Sequence, residues 1–119
     1  MTEGNSTSSE PLSHRNEKDI IYNVTIKVEP QIADAWLQWL LEEHIPAIMQ
    51  TSCFTYYKLV KLLEVDDSDG PTYAIQYHAA SKDDYNKYID QFAQRFSKKS
   101  FDKWGEQFIA FRSVMEVVK

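Results

Sequence analysis

The chain is expected to fold as an α+β domain: an antiparallel four-stranded sheet with helices on one face, in the order β-α-β-β-α-β. Three observations carry this expectation. Residues 20–28, IIYNVTIKV, alternate with period two. Two later stretches, around Trp36 and around Tyr88, repeat their apolar residues at helical spacing. Between them lie two strand-like runs joined by DDSDG (66–70), a connector rich in turn-forming residues.

Each element follows from its local chemistry. In the first strand Tyr22, Val24 and Ile26 share one face, and Asn23, Thr25 and Lys27 share the other. Pro30 suits a first helical turn, where its missing N–H costs nothing. Ile32, Trp36, Trp39 and Leu40 then form a helical stripe through about Ile45, with His44 on the same side and Asp34, Gln38 and Glu42 pointing away. Pro46 is expected to end or kink this helix. Strands are predicted over 53–65 and 71–79, forming a hairpin. Ser81 with Asp84 resembles a capping box, and Tyr85, Tyr88, Ile89, Phe92 and Phe96 trace the second helix. Gly105 is a plausible stop, and the last strand is expected over 108–118. Residues 1–18 hold one Leu and no aromatic residue, so they are expected to form a flexible tail before a single domain over 19–119.

This order is the ferredoxin-like pattern, with the first and third strands central. Alternation assigns Tyr22, Val24, Ile26, Tyr73, Ile75 and Tyr77 to the helix side, together with Phe111 and Met115. The opposite face would then carry Asn23, Thr25, Gln76, His78, Arg112 and Glu116, with Ala74 and Val114 between them. A mixed face with few central charges suits a subunit interface. A homodimer packed sheet to sheet is therefore expected, with Asn23, Gln76, His78, Arg112 and Glu116 as its candidate contacts.

Composition removes several function classes. Apolar residues make up 43% and aromatic residues 13%, which suits a dense aromatic core. A net charge of -5 argues against nucleic-acid binding. The single cysteine, Cys53, rules out an intrachain disulfide framework and a cysteine-based zinc site. There is no apolar run of about 18 residues for a membrane span. No secretory signal is expected, and the expected location is the cytoplasm. No GxGxxG, P-loop or HExxH motif occurs, so no cofactor or metal is expected.

The stretches IIYNVT, WLQWLLEEHIP, LLEVDDSDGPTYAIQY and FIAFRSVMEV resemble a group of short bacterial proteins sharing a domain of unknown function. That group is similar in fold to the dimeric α+β barrels. The resemblance runs from Asp19 to Lys119 and implies the fold and a dimer, with no assigned reaction. Antibiotic-biosynthesis-type monooxygenases and heme-degrading enzymes share the wider architecture, but none of their catalytic residues has a motif match here.

His44 is the sharpest candidate for chemistry. An imidazole near neutrality can serve as a base or hydrogen-bond donor facing a cavity. At a helix end it can equally be a packing residue that favours the terminal carbonyls, and this reading is preferred. Tyr22, Tyr73 and Tyr77, with Trp36, are candidate pocket residues that core packing would explain as well. Arg112 could hold an anion, but a polar network across the dimer interface accounts for it more simply. The favoured function is a non-catalytic, homodimeric binding or regulatory module whose core is filled by Trp36, Trp39, Phe92 and Trp104. The alternative is a cofactor-independent small-molecule enzyme, monooxygenase- or isomerase-like, with a pocket between helices and sheet.

Overall fold

The computed structural model describes residues 18–119; the expected tail lies outside the described residues except for Lys18. The first strand, β1 (Ile20–Val28), alternates between buried and half-buried positions along its whole length. Its side chains therefore separate into two faces, as period-two patterning requires. A 3-10 turn at Pro30–Ile32 leads into a helical segment made of α1 (Ala33–Trp39), a π-helical turn (Leu40–His44) and α2 (Ile45–Met49). The edge strand β2 (Tyr56–Lys61) and strand β3 (Thr72–Ala79) follow. Helices α3 (Lys82–Gln91) and α4 (Ala93–Trp104) precede β4 (Phe108–Glu116).

The sheet order is β2-β3-β1-β4 with every neighbouring pair antiparallel, the ferredoxin-like arrangement. Registers Tyr22↔Tyr77, Val24↔Ile75 and Ile26↔Tyr73 put these six residues on the helix side. There they meet Trp36, Leu40, Ile45 and Ile48 from the first helical segment and Tyr88 and Phe96 from the second. Trp36, Leu40 and Ile45 are each 1% exposed, so the first segment contributes some of the most deeply buried side chains. Full burial of an aliphatic or aromatic side chain stabilises by about 1.5–3 kcal/mol, which makes this stripe the main attachment of helix to sheet.

Local chemistry sets the element ends. The Ser81 side chain accepts a hydrogen bond from the Asp84 N–H at 3.2 Å and caps α3. At the joint between α3 and α4, Phe92 leaves helical geometry (φ -128°, ψ -33°) while its N–H still reaches the Tyr88 carbonyl at 2.9 Å. Gly105, with φ +63°, ends α4, and its N–H donates to the Phe101 carbonyl at 2.7 Å.

Three sequence expectations are corrected. Of the two outcomes expected at Pro46, the helix does not end there or near Ile45 but continues to Met49. The turn before the proline widens, and the Ile45 N–H reaches five residues back to the Leu40 carbonyl. A π-type turn of this kind re-registers the helix next to a residue that lacks an N–H and crowds the carbonyl four positions earlier. The strand expected over 53–65 shrinks to Tyr56–Lys61: Cys53 and Phe54 are buried in a loop, and Glu64 turns with φ +57°. The third correction reverses the faces of β4. Its register pairs Tyr22↔Val114, Val24↔Arg112 and Ile26↔Ala110, and Ile20 with Glu116. Arg112, Val114 and Glu116 therefore lie on the helix side, while Phe111 and Met115 lie on the outer side.

Candidate functional site

A cleft opens between the helices and the β1-β4 half of the sheet. Tyr22 comes to it from β1, Tyr77 from β3, and Arg112 from β4. The π-helical turn supplies His44, α3 supplies Tyr88, and one turn of α4 supplies Ser97 and Ser100. Apolar side chains such as Val24, Leu40, Ile48 and Phe96 form its walls. The cavity measures about 40 Å³, room for a few small atoms or waters. The expected core filled by Trp36, Trp39, Phe92 and Trp104 with no cavity is thus corrected. Of the four only Trp36 is buried, the others pack half-buried around the core, and a small cavity remains.

His44 sits at the end of the π-helical turn, its ring stacked on Trp39 (centroids 4.5 Å, interplanar angle 26°) and edge-on to Phe96 (5.9 Å, 85°). Burial, reinforced by the nearby positive charges of Lys99 and Arg112, lowers its pKa from 6.5 to about 4. At neutral pH the imidazole is uncharged, offering one donor and one acceptor nitrogen. The tyrosine hydroxyls stay protonated. Burial raises the pKa of Tyr77 and of Tyr88. It does the same for Tyr22, where the adjacent Arg112 opposes the rise through its charge and a hydrogen bond.

Arg112 itself reaches across from β4 to α4, its Nη2 donating to the Ser97 Oγ at 3.2 Å. It is the one charged side chain lining the cleft. Its guanidinium is open to solvent on one side and faces hydroxyls and an imidazole on the other, without a carboxylate among the lining residues. This arrangement can bind a small polar group by charge, by hydroxyl donors and by a neutral imidazole together.

Of the sequence candidates, Tyr22, His44 and Tyr77 meet around the cleft. Trp36 and Tyr73 do not line it; their rings pack on each other at 5.6 Å. Asn23, Gln76 and His78 lie on the outer sheet face, as their alternation with the buried residues requires. Asn23 donates there to Thr25 Oγ1 at 3.0 Å and to Ser113 Oγ at 3.5 Å, and His78 stacks on Tyr56 at 4.1 Å. Arg112 and Glu116, expected among them, are on the other side. The sequence reading missed Tyr88, Ser97 and Ser100. Ser97 and Ser100 stand three apart on α4 beside Phe96, and that spacing brings both to the rim of the cleft, Ser97 exposed and Ser100 half-buried with its hydroxyl donating to the Phe96 carbonyl at 3.2 Å. Among the described residues no group of three or more metal-ligating acids, histidines or cysteines converges.

A family model described as a domain of unknown function, DUF4286, matches residues 19–118. The chain belongs to the DUF4286 family. No curated protein matches it. Among solved structures, the DUF4286 fold is similar to a dimeric ferredoxin-like protein from an uncultured marine organism. That likeness has a TM-score of 0.69 at 10% identity and covers 87% of this chain and 98% of the other. It is also similar to SnoaB, a cofactor-independent oxygenase from Streptomyces nogalater, with a TM-score of 0.60 at 11% identity over 85% and 94% of the two chains. An EthD family protein from Bacillus halodurans gives a TM-score of 0.59 at 7% identity over 79% and 96%. At these identities the likeness is one of fold.

Proposed function

We propose that this DUF4286 protein is a homodimeric, non-catalytic binding module that holds a small molecule in the cleft beside His44 and Arg112. The observation that carries this reading is the convergence of Tyr22, His44, Tyr88, Ser97 and Arg112 on one apolar-walled cavity. Pockets of that composition orient ligands with a few polar groups against apolar walls. The depressed pKa of His44, about 4, favours binding over proton transfer, because a base that weak removes protons poorly near neutral pH. A second reading, a cofactor-independent enzyme, draws on the similarity in fold to SnoaB and on the same cluster of His, Arg and Tyr. A thermal-shift screen against metabolites tests the first reading. A ligand at a hundred times its Kd adds about 2.7 kcal/mol and should raise Tm by roughly ten degrees. His44→Gln should diminish that rise. Mass spectrometry of each hit after incubation separates the two readings: an unchanged ligand supports binding, and a converted one supports the enzyme.

The dimer half of the proposal rests on the outer sheet face. Phe111 is 68% exposed and Ile109 57%, with Met115 exposed beside them on β4, and Val60 and Tyr56 are exposed on the same face at the opposite edge strand, β2. Apolar side chains contiguous on one face mark interaction surfaces. A matching face on a second copy buries them, and one similar structure is a dimeric ferredoxin-like protein. Light scattering should give twice the chain mass at micromolar concentration. Phe111→Lys should give the monomer mass with an unchanged circular dichroism spectrum, since the side chain makes no core contact; a wild-type monomer would refute the interface. No helix among the described residues is long and apolar enough to cross a membrane. We place the protein in a bacterial cytoplasm, in keeping with its free, buried Cys53 and its resemblance to short bacterial proteins.

A further inference from the structure

Building on the small-molecule reading, we infer that the cleft selects an organic monoanion: a compact apolar body carrying one carboxylate or similar oxyanion, which pairs with Arg112. The charge inventory of the cleft carries this. Arg112 is its only charged lining residue. The protein is acidic overall, with eighteen Asp and Glu against thirteen Lys and Arg. Yet no acid lines this cavity, and among the described residues the ion pairs are Lys27–Asp69 and Lys98–Asp102, neither involving Arg112. A guanidinium has five N–H donors in a planar fork that matches an oxyanion, and donors remain beyond those engaged with Ser97 and Tyr22.

The surroundings reinforce the sign. Lys99 acts on His44 from the same helix that carries Ser97. Arg95 and Lys99 lie over the Phe96 ring, at 5.2 and 5.9 Å from its centroid, and Phe96 is itself a wall of the cleft. A cavity edge with positive potential and hydroxyl donors, set against aromatic walls, favours an anion with an apolar body over a neutral or cationic molecule. The cavity volume of about 40 Å³ limits the inserted part to a small group. A single charge is sufficient, because one guanidinium faces it.

Benzoate, acetate and their neutral counterparts benzamide and acetamide are the probes, followed by amide and side-chain NMR of the full chain at constant ionic strength. One or both carboxylates should shift the Arg112 side-chain, His44 and Ser97 signals saturably. The amides should bind at least tenfold more weakly. Arg112→Gln should remove the preference for the anion, and Arg112→Lys should restore part of it; both variants should keep the wild-type amide spectrum elsewhere. Equal binding of carboxylate and amide would overturn the inference while leaving the small-molecule reading intact. So would neutral hits from the metabolite screen that occupy the cleft while both carboxylates fail. If neither charged nor neutral molecules perturb the cleft, both readings fall, and Arg112 is a tie between β4 and α4. If Arg112→Gln merely lowers Tm and leaves the anion preference unchanged, that structural role is likewise the answer.

Discussion

Gly70→Ala is expected to cost about 4 kcal/mol or more, a loss large enough to leave this domain close to unfolding. Gly70 closes the acidic connector before β3, where its N–H donates to the Asp67 carbonyl at 2.9 Å. Its φ of +122° is a backbone conformation that side chains rarely adopt. A Cβ placed there would fall 1.8 Å from the Val28 carbonyl oxygen and 2.9 Å from the carbonyl carbon. Neither atom can swing aside, because Val28 is paired in β1 and its N–H is held by the Pro71 carbonyl at 3.1 Å. The added methyl must therefore push the turn off the strand end. Gly105→Ala is the control. It meets nothing within 4 Å and carries the backbone strain alone, on the order of 1–3 kcal/mol. Denaturant midpoints of the two variants, measured side by side, check both the size and the order of the effects.

Acidification should weaken the fold through His44, by an amount on the order of 3 kcal/mol between neutral pH and pH 4. The unfolded chain takes up this proton near pH 6.5 and the folded chain only near pH 4. Within that window the unfolded state binds more protons, so stability rises with pH and falls as pH drops. Each pH unit of separation corresponds to about 1.4 kcal/mol. The stabilisation is complete above pH 6.5 and fades toward pH 4. His44→Gln cannot titrate, so its urea-unfolding free energy should be flatter across the same range. The difference between the two curves isolates this group from His78, whose pKa is also lowered by burial. Parallel curves for wild type and variant would show that the imidazole is not held neutral by its surroundings.

Most of the architecture was legible because this chain states its faces clearly where one side is buried. β1 has a strict alternation, α3 has a side-chain cap, and the glycine after α4 has the backbone angle that the stop needs. β4 defeated the same reading. Phe108, Ala110 and Val114 in one phase and Ile109, Phe111 and Met115 in the other are both apolar, so period two cannot choose between them. The choice is made by long-range pairing: the Glu29 N–H binds the Gln107 carbonyl at 3.0 Å, and Val28 then faces Phe108. That register turns Arg112 inward, against the rule that charges face away from the core. Local patterns fail most often where a site departs from plain packing. His44 and Tyr22 were visible because they lie on well-patterned elements, whereas Ser97 and Ser100 look like ordinary surface residues of an amphipathic helix.

The π-helical turn at Leu40–His44 makes the first helical segment sensitive to phase as well as to composition. An α-helix advances about 100° per residue, so one residue more or fewer rotates everything beyond it by that angle. Trp36 and Leu40 are aimed at the sheet from before or at the start of the turn, Ile45 and Ile48 from after it. Both sets point the same way only because the turn holds one surplus residue. The segment works like two keys cut on one shaft with a fixed offset: swapping a tooth alters the fit at one place, but removing the offset turns the second key out of its lock.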